Sequence, residues 1–380
     1  MTLRVGIVGC GFIGRFHSRN LKDVVRSNLV NAEVVATCDR DPARAAGFAR
    51  ILGAARSTTQ ADELIDDPAL DVLYVCTETA EHPALVARAA AAGKHVFCEK
   101  PLAKNYRDAR AMLDAVTSAG VVHQVGLVLR FSPVYRVLEH LMSDASLGRL
   151  LSVHLRDDQF FPIRGYYASA WRADPERAGG GTLIEHSIHD VDLFMRLFGP
   201  VVSVRCHTRE TSGHAGIEDV ALVTFEHEGG HHTALSSIWH QMDGRESARR
   251  LEVFFERGYF ATDHDYFGGL TYQLGSAQID KGAPVDLSAD EVLTRYMALD
   301  GLDARDHDLR SLGGLCDRRF LEAVHRGGPA HPSFVEAVAA HAVVEACYAS
   351  AARRRDVAVA DIVAGASAAV ADGTGERVGS

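Results

Sequence analysis

No two of the seven cysteines form a CxxC pair. That argues against a disulfide framework and fits a reducing compartment. No apolar run is long enough to span a bilayer, which leaves no expected membrane partner. The chain also lacks a separate hydrophobic leader and a small-residue cleavage site after Met1, so a cytoplasmic location is expected. Basic residues are in deficit: Lys+Arg number 40 against 50 Asp+Glu, a net charge of −10. An acidic field gains nothing from a nucleic-acid or anionic-membrane polyanion, so neither is expected as a partner. The one short basic run, Arg353-Arg354-Arg355, reads as charge at a helix C-terminus. There is no internal repeat. What remains is the composition of a globular protein, 47% hydrophobic over 380 residues, long enough for two domains.

The first third alternates short apolar runs with helical patterns. LRVGIVG, EVVATCD, VLYVCT, KHVFCEK and VVHQVGL read as buried strands. PARAAGFARILG, HPALVARAAAAG and NYRDARAMLDAVTSAG read as helices closed by glycine. Such alternation predicts a doubly wound parallel sheet. After about residue 130 longer strands joined by tight turns predict a mainly antiparallel sheet, with helices returning over 312–326 and 333–355. The expected division is α/β throughout: a dinucleotide-binding domain over 1–128, a substrate-binding and oligomerisation domain over 129–358, and a partly disordered tail over 359–380.

GIVGCGFIGRFH carries Gly9, Gly11 and Gly14 in the G-x-G-x-x-G spacing, with Phe12 and Ile13 between the last two. The motif follows a strand and opens a helix, the context a dinucleotide pyrophosphate requires. Gly9 permits the turn, Gly11 admits the phosphates and Gly14 lets helix and strand pack closely. Asp39 ends the second strand, where a carboxylate accepts from the ribose hydroxyls and favours NAD; Arg40 beside it leaves NADP possible. Four cysteines (Cys10, Cys38, Cys76 and Cys98) end strands here and read as small buried residues beneath the cofactor.

KHVFCEKPLAKN sets Glu99-Lys100-Pro101 at the carboxyl end of a sheet strand. A lysine there points into the cofactor crevice, where it can hold a substrate hydroxyl and pass its proton onward. GGGTLIEHSIHDVD then places Glu185, His189 and Asp192 at i, i+4 and i+7 of one predicted helix, with His186 and Asp190 as an adjacent stripe. His189 suits a general base, Glu185 a substrate-hydroxyl or tautomer-setting carboxylate, and Asp192 an orienter of His189 or a helix anchor. The two histidines are three apart and no third-ligand motif follows, so no metal is expected.

With these residues in place, the chain resembles the glucose–fructose oxidoreductase / inositol dehydrogenase (Gfo/Idh/MocA) family. The likeness rests on the glycine fingerprint, VLYVCTETAEHPALVARAAAAGKHVFCEKPLA, GGGTLIEHSIHDVDLFMRLFG and FLEAVHRGGPAHPSFVEAVAAHAVVEACYASA. It implies a Rossmann domain followed by an α/β domain with a large open sheet, through which members assemble, here as a homodimer or homotetramer. It implies a catalytic or substrate-anchoring Lys100, with Thr77, Thr79 and His82 along the cofactor, Glu99 near the nicotinamide and Arg130 near the active site. In the family's pattern an Asp stands where this chain has Glu185, and an apolar residue where it has His186. The combined expectation is a hydride transfer between NAD(P) and a secondary alcohol of a sugar or polyol, with Lys100, His189 and Glu185 at the chemistry. Trp171 or Tyr166 would stack on a sugar ring, and Arg164 or Arg172 would pair with an anionic substrate group. The alternatives are a lyase or glycosidase that oxidises transiently, and a non-catalytic nucleotide-binding regulator.

Overall fold

The computed structural model describes residues 2–165, 167–275, 282–303 and 313–371. Six parallel strands form the first sheet: β1 (Leu3–Val8), β2 (Ala32–Cys38), β3 (Arg56–Thr58), β4 (Val72–Val75), β5 (His95–Cys98) and β6 (His123–Val125). Their order is β3-β2-β1-β4-β5-β6. The order reverses between β1 and β4, and the carboxyl ends on either side of that point open a crevice. The short, exposed β3 carries too few apolar residues to have been read as a strand. Asp41 caps the helix Pro42–Leu52, accepting from Ala43 N at 2.9 Å and Arg44 N at 3.3 Å.

The second sheet has nine strands: β7 (Leu150–Phe160), β8 (Val201–Arg209), β9 (Val220–His227), β10 (His232–His240), β11 (Ala248–Phe255), β12 (Gly258–Thr262), β13 (Leu270–Leu274), β14 (Val285–Leu287) and β15 (Val357–Ala358). They run β14-β13-β12-β11-β7-β10-β9-β8-β15, antiparallel except for β7 beside β10. One face is covered by the helix Ile188–Phe198, whose Ile188, Val191 and Phe194 pack with Val153, Leu155, Val223 and Phe225.

The late helices tie the two sheets together. Gly314–Arg326 places Cys316, Phe320 and Leu321 in one cluster with Val5, Ile7, Tyr74 and Phe97 of the first sheet. Phe334–Arg353 puts Phe334, Ala337 and Val338 against the first sheet's core and Ala340, Val343 and Val344 against the second's. By length and composition that helix could cross a membrane, yet 61% of its apolar window is buried in the protein. A helix apolar on all sides is what a position between two cores requires.

Two expectations change. Val359–Ala371 form a helix where a partly disordered tail was expected to begin, its Val359 and Ile362 packing on both cores; residues 372–380 lie outside those described. The single helix expected through 185–192 is instead two, Thr182–Glu185 and Ile188–Phe198, broken at His186 (φ −124°, ψ −62°). The break is anchored upstream by Glu218, whose carboxylate accepts from Gly181 N at 2.7 Å and Leu183 N at 2.9 Å. It lets polar side chains from both pieces turn to the same crevice.

The three-glycine run exists for this packing. A Cβ on Gly181 would fall on the Glu218 carbonyl and within 2.6 Å of its backbone nitrogen. Gly181→Ala should therefore destabilise the protein by at least ~1–3 kcal/mol, the ordinary cost of overpacking. A lowered urea-unfolding midpoint would register it; an unchanged midpoint would mean that the backbone gives way freely there.

Candidate active site

The crevice between the sheets is a cavity of about 1030 Å³. At one end lie Gly9, Gly11, Phe12 and Ile13. Gly9 adopts φ +98° against the Cys76 backbone, a conformation and approach that exclude a side chain. A Cβ on Gly14 would fall on the Gly9 carbonyl, so Gly14 sits beneath the turn and does not line the cavity. At Gly11 a Cβ would meet nothing within 4 Å. The helix Phe12–Arg26 starts there without a side-chain cap, so its N-terminus is placed to receive an anion. This open, uncapped cradle fits a dinucleotide pyrophosphate.

Asp39 lies beyond it, almost buried, with Oδ2 accepting from Cys10 N at 2.8 Å and Oδ1 from Asp41 N at 2.9 Å. Both arginines that might receive a 2′-phosphate are engaged: Arg40 donates to Glu78 and Glu81, each at 2.9 Å, and Arg44 lies 3.5 Å from Asp39. Cys38 and Cys76 line the floor, and all four strand-end cysteines are buried and unbridged.

The other end is polar. Lys100 follows β5 and donates from Nζ to the Glu185 carbonyl at 2.8 Å. Burial, followed by the nearby Arg172 charge, outweighs Glu185 and Glu99 and lowers its pKa to about 8. Glu185 is buried, with Oε1 accepting from the Thr79 hydroxyl at 2.6 Å and Oε2 from Arg172 Nε at 3.0 Å. Among the described residues no hydrogen bond joins either oxygen to His189, so Glu185 does not set its tautomer. His189 also lines the cavity, and its buried Nδ1 has no partner among the described residues. Burial, then the charges of Lys100 and Arg249, hold its pKa well below 6.5 and keep the ring neutral.

Several expected site residues are placed otherwise. Asp192 does not orient His189: Arg130 donates to it from Nε at 2.8 Å and Nη2 at 2.6 Å. Arg130 accordingly anchors the helix Ile188–Phe198, 3.7 Å from Glu336, and lines no part of the cavity. His82 is buried beneath the site, its ring nitrogens 2.9 Å from Pro101 O and 3.3 Å from Thr77 O. It fixes two cavity-forming loops without reaching the cavity itself. Arg164 lies over the Phe160 ring at 5.5 Å, also outside the cavity. Tyr166 lies outside the described residues; its neighbour Tyr167 lines the cavity and packs edge-on against Phe12 at 5.2 Å. Thr77, Thr79, Glu99, Trp171, Arg172 and His186 do line it.

Two buried networks had no reading in the sequence. His17, inside the fingerprint helix, donates to Asp317 at 2.7 Å and Glu99 at 2.8 Å. Burial alone would lower its pKa, but Asp317 and then Glu99 raise it to about 10, so it is an imidazolium. It closes the quoted GRFH, and its spacing three residues after Gly14 was the available signal. Arg249 donates to Asp190 at 2.8 Å, to Asp265 at 2.9 Å and to His186 at 3.1 Å, with Asp157 at 3.3 Å. Burial pushes Asp190 up to about 7 despite Arg249. Among the described residues no group of three or more His, Cys, Asp or Glu is placed to hold a metal ion.

Comparison with known proteins agrees with this geometry. An oxidoreductase-family model with an NAD-binding Rossmann fold matches residues 3–127, and that family's C-terminal domain matches 135–261. Myo-inositol 2-dehydrogenase of Thermotoga maritima is 29% identical over 74% of this chain and 80% of its own. Inositol 2-dehydrogenase of Rhizobium meliloti is 27% identical over 95% and 100% respectively. A levoglucosan dehydrogenase solved with NADH and levoglucosan superimposes with a TM-score of 0.82 at 24% identity, over 94% of this chain and 100% of that one. With both characteristic domains matched over more than half of its length, the chain belongs to the GFO/IDH/MocA oxidoreductase family.

Proposed function

We propose that this protein is an NAD-dependent dehydrogenase of a secondary alcohol on a sugar, cyclitol or related polyol. The observation that carries it is the meeting of Lys100 and His189 in one pocket, continuous with the glycine cradle and Asp39. The relatives named above as inositol and levoglucosan dehydrogenases support the substrate class.

Gly9, Gly11, Phe12 and Ile13 hold the pyrophosphate end of NAD, Asp39 the adenosine ribose, and Thr77, Thr79 and Glu99 the length of the crevice. Bound nicotinamide supplies the hydride acceptor. Lys100 Nζ, fixed by the Glu185 carbonyl, takes the alcohol proton. It is the formal base because its pKa of about 8 makes it a stronger base than His189, held well below 6.5. His189 holds the same oxygen by hydrogen bonding, and reduction runs the same steps in reverse. Glu185 is a positioning residue that fixes Thr79 and Arg172. Trp171 offers the stacking surface. His186, tied to Asp157 and Arg249, shapes the far wall.

We further place the enzyme in the cytoplasm, where seven buried free thiols stay reduced. Assembly as a homodimer or homotetramer would use the outer face of the nine-stranded sheet, where Leu222 and Phe254 are exposed.

The test is the absorbance of reduced nicotinamide with NAD and NADP against sugars, inositols and sugar acids. Reduction with NAD is expected. Asp39→Ala should lower kcat/KM for NAD by roughly 10–100-fold, as expected for lost hydrogen bonds to a charged group. It should also narrow the preference over NADP. Silence across the panel would overturn the dehydrogenase reading, and an unchanged NAD preference in the variant would overturn the role of Asp39.

A further inference from the structure

The substrate end of the cavity carries a guanidinium set for a ligand that a neutral polyol would not satisfy. Arg172 is held on two sides. Its Nε donates to Glu185 Oε2 at 3.0 Å, and its guanidinium carbon lies 4.3 Å over the Trp171 ring. Its side chain is 19% exposed. Among the described residues, Nη1 and Nη2 have no hydrogen-bond partner, so the outer edge of the fork is left for whatever occupies the cavity. Lys100 hangs from the same residue, through the Glu185 carbonyl, with two ammonium hydrogens to spare.

The carboxylates at this end each have a cation beside them. Arg172 is offset by Glu185, and Arg249 is shared among Asp157, Asp190 and Asp265. Glu99 and Asp317 share His17. Lys100 has no carboxylate within ion-pair distance among the described residues. The Lys100 ammonium and one unfilled guanidinium edge therefore face the same cavity. A cation with no carboxylate partner gains most from an anion, and a planar fork fits a planar carboxylate.

We propose that the substrate is a sugar or polyol acid, whose carboxylate is received by the Nη edge of Arg172 beside Lys100. This deepens the dehydrogenase reading and rests on it. The two Nη groups form a planar, two-pronged edge, which matches the two oxygens of a carboxylate more closely than a tetrahedral phosphate. Glu185 then accounts for its departure from the family's Asp. Its two oxygens bridge Thr79 and Arg172 and aim the guanidinium, and the hydroxyl-binding work passes to Lys100 and His189.

The test is a titration of the NADH-loaded enzyme, followed by intrinsic fluorescence, since both tryptophans of the chain, Trp171 and Trp239, line the cavity. The probes are D-gluconate and D-glucuronate against D-glucose and myo-inositol, with a hexose phosphate as a further arm. A sugar acid is expected to bind at least ~10-fold tighter than its neutral counterpart, as a charge-assisted pair gives. Arg172→Gln should collapse that ratio at least ~10-fold, and Arg172→Lys, which keeps the charge but loses the fork, should fall between. Arg164→Gln, on the same loop but outside the cavity, should leave the ratio unchanged. Equal binding of acids and neutral sugars, failure of every sugar acid to bind, a preference for the phosphate, or a ratio that survives Arg172→Gln would each overturn the proposal. Neutral polyols oxidised with no preference for acids would sink this assignment alone. Arg172-dependent binding of an acid with no nicotinamide reduction would sink the dehydrogenase reading and leave this one standing.

Discussion

Lys100→Met will load with NAD as the parent enzyme does and lose turnover by roughly 10²–10⁴-fold, the range general acid–base catalysis supplies. The substitution keeps the length of the apolar stem and removes only the group that takes the proton. The Nζ–Glu185 carbonyl bond, 2.8 Å in the parent, is lost with it, but Glu185 lines the cavity, where that carbonyl can accept from a bound ligand or water. A melting curve on the variant separates a misfolded protein from a dead site. The pH profile is the sharper readout. In the oxidation direction Lys100 must begin as the free amine, so kcat/KM should rise with pH and level off above about 8. In Lys100→Met that limb should vanish. His189→Ala should cost less, because its ring is held neutral and hydrogen-bonds the reacting oxygen without keeping the proton. If Lys100→Met kept its limb and His189→Ala lost it, the two roles would be reversed.

The parts of the site legible in the sequence are those whose meaning is local. The glycine fingerprint works through backbone shape over six positions, and Lys100 through its place at the end of a strand. Their elements could be read from periodicity and glycine punctuation. The unread parts depend on partners far along the chain. Glu185 meets Thr79 across 106 positions, and Arg130 meets Asp192 across 62. Nothing in the spacing of 185, 189 and 192 shows that Asp192 serves an arginine and not the neighbouring imidazole. The break at His186 was hidden for a similar reason. Spacings of i, i+4 and i+7 fit one continuous helix, whereas the kink depends on Glu218, more than thirty positions on, gripping the glycine run. The helix Gly314–Arg326 was legible as a helix. That its apolar stripe would return to the first sheet was not, since an amphipathic pattern specifies a buried face without naming what covers it.

Asp317→Ala will cost about 3–5 kcal/mol of stability, the usual penalty for breaking a buried ion pair from one side. Asp317 accepts from His17 at 2.7 Å through Oδ1 and from Asn20 at 2.8 Å through Oδ2, and it is fully buried. Its removal leaves the His17 imidazolium with only Glu99 as counter-charge and takes an acceptor from Asn20, beside a core that includes Tyr74, Phe97 and Phe320. It also frees His17 to move, and His17 positions Glu99 at the cofactor crevice. Weaker NAD binding should therefore accompany the lost stability, an effect that a purely structural lesion far from the crevice would lack. The pH dependence has a definite direction. His17 titrates near 6.5 when unfolded and near about 10 when folded, so folding favours its protonated form. Its contribution is full below 6.5, declines as pH rises through that window, and is gone above about 10. Urea-unfolding midpoints taken across that range should fall for the parent protein. In His17→Gln the decline due to this group should be absent. Asp317→Asn separates charge from shape: the amide oxygen can still accept from His17, so it should lose less stability than alanine while lowering the His17 pKa. Equal losses for the asparagine and alanine variants would mean that the charge, and not the hydrogen bond, holds Glu99 in place.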